Sequence, residues 1–145
     1  DENFVVYSWL ESYARSREGQ ARDLNRDGAA KSAWWGQHAA FVEQLVRAAN
    51  VTVEVAYDLE SPTIVWGFAA TSGDVVHYAL VKRALLREDE ETGRAMLRDL
   101  LGNRLERACP YTSEQRDLYR LGMVPRDWYP SATWMALNYP RRAAA

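Results

Sequence analysis

The sequence predicts an α/β (α+β) fold: a mixed, mostly antiparallel sheet flanked by helices. Three observations predict it. "VTVEVAY" alternates apolar and polar residues, the mark of a strand with one face buried. "TIVWGFAAT" and "VVHYALV" are two further strand-like runs joined by "SGD", a short connection with turn chemistry, and so read as an antiparallel hairpin. Immediately after them, Gly93, Met96, Leu97, Leu100, Leu101 and Leu105 recur at helical spacing.

Taken in chain order, Val6, Trp9, Leu10 and Tyr13 share one face of a helix over residues 3 to 15. "SREGQARDLNRDGAAK" is polar and aperiodic, and reads as a long loop. Ser32 is placed to cap a second helix. Its stripe is Trp35, His38, Ala39, Val42, Leu45, Val46 and Ala49, and Asn50 can end it. The first strand puts Val51, Val53, Val55 and Tyr57 on one face, and "ESP" breaks it. After the hairpin, the third helix is expected from about residue 92 to 107. "ERACPY" reads as a short buried strand, "TSEQRDLYRLG" as a short helix stopped by Gly122, and "SATWMALNY" as a last strand. No repeat or composition break divides the chain, so residues 1–145 are expected to form a single domain.

Composition narrows the function classes. The chain has 145 residues, 48% apolar and 26% charged, which is globular rather than disordered. A net charge of −2 lacks the basic excess of a sequence-neutral nucleic-acid binder. There is no apolar run of membrane-spanning length, and "DENFVVYSWL" lacks the pattern of a signal peptide. Cys109 is the only cysteine, which excludes an internal disulfide and fits a cytoplasmic setting. His38 and His77 cannot build a usual zinc site with it, so no metal is expected. Six Trp and eight Tyr make aromatic residues prominent, a feature of cores and of interfaces alike.

The turn between hairpin and third helix is the most informative stretch. "LLREDEETGRAML" places Glu88, Asp89, Glu90 and Glu91 in a row where a strand turns into a helix. The strand, turn and helix of "VHYALVKRALLRE…TGRAMLRDLL" resemble the cofactor-holding segment of the GNAT superfamily of acetyl-CoA-dependent N-acetyltransferases. Members of that family usually read V-x-x-x-x-R-G-x-G-I-G/A-x-A-L-L there. "RDLYRLGM" resembles their later "LYxxLGF" signature, one residue shorter, and "SWLESYARS" resembles short phage and prophage members.

The resemblance implies a sheet that splays to admit the pantetheine of acetyl-CoA. It also implies a pyrophosphate held by N–H groups at the turn and the helix start. The main chain of Leu80, Val81 and Lys82 would meet pantetheine; Arg87, Gly93 and Arg94 would belong to the phosphate end. Tyr119 falls near the proton-donor tyrosine, and His77 or Glu54 would be the base that takes the amine proton. The alignment also departs from the family. Gly93 keeps the last small position, but the two earlier glycines fall on Asp89 and Glu91, and the Arg or Gln falls on Glu88. Carboxylates beside a pyrophosphate repel it, and their Cβ atoms obstruct the close backbone approach that glycine allows.

Two functional classes follow. One is a GNAT-like domain that has lost acetyl-CoA and serves as a protein-binding or structural module, phage-encoded, with no cofactor. The other is a working acetyl-CoA-dependent N-acetyltransferase with an altered loop. For the first, Trp128 and Tyr129, beside Pro125 and Pro130, are the expected anchors for a protein partner or for self-association. In the bland readings Tyr119, Trp128 and Tyr129 are core aromatics, His77 a satisfied sheet histidine, and "EDEE" a solvated helix start. Cys109 reads as a structural cysteine rather than a nucleophile.

Overall fold

The computed structural model describes residues 2–14, 28–73, 75–82, 89–102, 110–111, 124–125 and 132–143. Its elements are α1 (Glu2–Ala14), α2 (Gly28–Val46), β1 (Thr52–Tyr57), β2 (Val65–Ser72), β3 (Val75–Val81), α3 (Glu90–Leu101), β4 (Pro110–Tyr111), β5 (Val124–Pro125) and α4 (Ala132–Asn138). The fold is mixed α+β. Its elements group into two compact units, with α1, α2 and α4 in one and the strands with α3 in the other.

In the helical unit, α1 buries Val5, Trp9 and Leu10, and α2 buries Val42, Leu45 and Val46. The two helices meet where the Tyr7 and Trp35 rings lie 5.6 Å apart. Helix α2 starts at Gly28, so Ser32 lies inside it and is not its cap. It also ends at Val46, ahead of Asn50. Ala48, rather than Ala49, is the buried residue of the turn that follows.

The turn that follows α2 is tied to the C-terminal segment by hydrogen bonds in both directions. The Arg142 guanidinium donates to the carbonyls of Ala48 at 3.1 Å and Val51 at 2.7 Å. The Asn50 side chain donates to Asn138 O. Charge-assisted bonds to carbonyls contribute more than neutral ones, so Arg142→Ala is expected to cost about 1–3 kcal/mol. A urea titration of the variant checks this.

Residues 132–138 are helical, whereas the sequence reading makes "SATWMALNY" a strand. Met135 and Tyr139 are both buried, and their i, i+4 spacing is that of one helix face. Ala, Met and Leu are strong helix formers, and Thr133 is the stretch's one β-branched residue.

In the sheet unit the hairpin forms as the sequence predicts. Strand β2 pairs antiparallel with β1 and with β3. Gly73 turns the hairpin at φ +49, a conformation that glycine adopts without Cβ strain. Strand β4 joins β3 in parallel at Val76↔Tyr111, and β5 continues parallel to β4. Parallel neighbours require a crossover, and α3 lies in the segment between β3 and β4. The strand order is β1-β2-β3-β4-β5.

Helix α3 packs Leu97, Leu100 and Leu101 over Ala69, Val76, Ala79 and Val81. The alanines give the helix room to approach the sheet. Gly102 ends it at φ +58, with its N–H donating to Arg98 O, so the helix stops short of the residue 107 expected from its stripe. Of "ERACPY" only Pro110–Tyr111 lies within the described residues, as β4. The "TSEQRDLYRLG" helix and Leu105 lie outside them.

Candidate functional site

Two places in the sheet unit bear on function: the start of α3, and a groove between α3 and β1. The first is built on Asp89. It is the N-cap, and its Oδ1 accepts the Thr92 N–H at 3.0 Å. Its Oδ2 accepts the Thr92 hydroxyl. These bonds, that from the Thr92 hydroxyl foremost, hold the Asp89 carboxyl below its usual 3.8. Glu90 and Glu91 follow in the first turn, exposed, where acidic side chains suit the positive end of the helix dipole. Glu90 pairs with Arg94 at 2.6 Å, one turn on. The acids therefore begin the helix two residues earlier than the Thr92 start expected from the stripe.

A depressed folded value fixes the pH dependence of this cap. Its contribution is complete above the 3.8 of a free aspartate and is lost as pH falls through the lower folded value. Asp89→Ala is expected to lower the melting temperature at neutral pH by a few degrees. At a pH well below the folded value it should have little effect. Thermal melts of both proteins at the two pH values check it.

The expected cofactor residues divide by position. Gly93 is buried in α3, and Arg94 is held by Glu90. The Lys82 N–H donates to Trp66 O at 2.8 Å, and its ammonium lies 5.9 Å from the Trp66 ring centroid. In an antiparallel ladder the residues that bond one neighbour alternate with those that face away. Lys82 and Leu80 thus turn their main chains toward β2, and Val81 turns its own to the opposite side. Of the three, only Val81 directs its main chain to the side of β3 on which β4 lies. Arg87, Tyr119, Trp128, Tyr129 and Cys109 lie outside the described residues.

His77 is fully buried. The β2–β3 register passes from Ala70↔Tyr78 to Thr71↔Val76, which makes His77 the extra residue of a bulge. Its Nε2 lies 2.7 Å from Ser72 Oγ, in hydrogen-bond contact across the hairpin. A base must reach its substrate, and this imidazole is enclosed and engaged by a serine.

The second place is an open groove of about 450 Å³. Glu54, Val55 and Ala56 of β1 form one wall, and Thr92, Ala95, Met96, Asp99 and Leu100 of α3 form the other. Its floor is apolar and its charges are two exposed carboxylates, Glu54 and Asp99. Among the described residues neither has an ion-pair partner, and no cation lines the groove. Such a surface attracts a cationic, partly apolar ligand. Glu54 is one of the residues singled out in the sequence, but Asp99 is not. Asp99 sits with Thr92, Ala95 and Met96 on a flank beside the buried stripe, and that flank acquires meaning only once α3 is docked against β1.

Among the described residues no group of three or more His, Cys, Asp or Glu is placed to hold a metal. Among them, too, no helix is long and apolar enough to cross a membrane. Comparison with known proteins matches this chain to no family model, no curated protein and no solved structure.

Proposed function

We propose that this chain is a GNAT-like domain that has exchanged acetyl-CoA binding for a protein-binding or structural role. One observation carries the reading. The helix start that would hold a pyrophosphate is already served by a carboxylate of the chain itself, since Asp89 takes up both the N–H and the hydroxyl of Thr92. A diphosphate would have to displace that carboxylate from the Thr92 N–H and settle beside Glu90 and Glu91. The nearest described cation, Arg94, is engaged by Glu90.

The order of hairpin, helix and parallel strand supports the GNAT-like part of the reading, together with the buried Gly93 at the small position of the motif. The setting proposed is cytoplasmic and phage-encoded, with a protein partner or a second copy as ligand. Calorimetry with acetyl-CoA tests the loss of cofactor. The expected result is no saturable heat at physiological concentrations; a micromolar dissociation constant would overturn the reading. The active N-acetyltransferase would then be the account to pursue, and Tyr119→Phe would be its first catalytic test.

A further inference from the structure

Strand β1 stands at one end of the strand order, so among the described residues one of its sides has no neighbouring strand. The ladder parity says which groups line that side. The Lys82 N–H bonds Trp66 O and the Asp58 N–H bonds Ile64 O. Carried along the two registers, these bonds turn the main chains of Thr52, Glu54 and Ala56 toward β2. Those of Val53, Val55 and Tyr57 then face outward. No described residue pairs with that outer row. Edge strands are commonly protected by lysine or proline, and "TVEVAY" contains neither.

The two faces beside this edge differ in chemistry. On one, Val55 is 38% exposed and Tyr57 54%, and Leu59 in the loop beyond is 89% exposed. That loop is held in place. The Asp58 carboxylate accepts from the N–H groups of Glu60 and Ser61 at 2.9 Å and from Trp66 Nε1 at 3.2 Å. An apolar surface fixed in advance loses little entropy on docking. On the other face lies the groove with Glu54 and Asp99.

An added strand alternates its side chains between these faces. Pairing of β1 with a second copy of itself would bring two Glu54 carboxylates together on one face, with Asp99 of each copy behind, and like charges across a ladder destabilise it. A segment with cations on that side and apolar groups on the other meets complementary chemistry on both. We propose that the β1 edge captures an extended basic peptide as an additional strand. Its lysines or arginines point toward Glu54 and Asp99, and its apolar side chains rest against Val55 and Tyr57. This identifies the surface and the partner class for the protein-binding reading on which it rests.

The test is fluorescence anisotropy with a labelled peptide of roughly eight residues, an ordinary strand length, alternating lysine and valine. The expected result is saturable binding by the full chain that weakens with added salt. Glu54→Lys, an exposed change, should weaken it by about tenfold. Val55→Pro, which removes an outward N–H, should abolish it. Absence of saturable binding, or equal binding of a glutamate–valine peptide, would overturn the proposal. So would a concentration-dependent dimer abolished by Val55→Pro, which would make the edge a self-pairing surface. Acetyl-CoA binding alongside intact peptide capture would sink the loss of cofactor alone. Failure of both ligands to bind would sink the peptide edge alone.

Discussion

Gly67→Ala is expected to destabilise the sheet unit by about 1–3 kcal/mol, the usual range for a forced fit in a packed region. Most glycines inside strands behave the other way. Replacing them by alanine limits the unfolded chain and gives back about 0.5–1 kcal/mol. Gly67 differs because of where β2 approaches β3. A Cβ there would lie 2.5 Å from Leu80 O and 3.3 Å from Val81 Cα. Both contacts are to backbone, which cannot swing aside as a side-chain tip can. The strand pair would have to separate at Gly67↔Val81, next to the bond from Lys82 N–H to Trp66 O. Urea denaturation of both proteins decides it, and equal or greater stability of the variant would contradict the close approach.

Phe68→Ala is expected to cost more, about 3–5 kcal/mol. The ring is fully buried and packs beside Tyr78 with centroids 5.5 Å apart. Truncation removes that contact and leaves a cavity between strands whose pairing holds the walls apart. Against a typical total stability of about 5–15 kcal/mol, such a loss brings the fold near its limit. The signature is a lower urea midpoint together with a reduced near-ultraviolet circular dichroism signal from Tyr78 and its neighbours. Phe68→Leu, which refills much of the space, should cost distinctly less. A loss below 1 kcal/mol for Phe68→Ala, on the order of a surface substitution, would mean that Phe68 is not core.

The sequence made the hairpin and α3 legible because each is encoded locally. β2 and β3 are strand-like runs buried along most of their length, Gly73 supplies the turn, and the leucines of α3 recur on one face. Boundaries were less legible. Helix α3 ends at Gly102, whose φ of +58 leaves the helical conformation, and Leu105 of the expected stripe lies outside the described residues. The last element, read as a strand from "SATWMALNY", is a helix, and Met135 and Tyr139, four residues apart, carry its burial. On β1, alternation grouped Val51, Val53, Val55 and Tyr57 on one face, and Val51 is buried. Val55 and Tyr57 are exposed because the strand is an edge, and edge position is a property of the sheet rather than of the segment.

The candidate site divides in the same way. Of the acids of "EDEE", Asp89 caps α3 and Glu90 and Glu91 lie exposed in its first turn, the solvated helix start of the bland reading. The pairing of Glu54 with Asp99 across a groove depends on how α3 lies over the sheet, and no local pattern announces it.

The central claim is that Asp89, and not a diphosphate, serves the start of α3. The most direct measurement is an amide NMR titration of the isotopically labelled chain with acetyl-CoA, following the Thr92 and Gly93 resonances. The account predicts that both stay in place up to millimolar ligand, with the Thr92 N–H protected by the Asp89 carboxylate. Saturable shifts of these two amides at micromolar acetyl-CoA would contradict it, because they would mean that the carboxylate yields its place to the cofactor.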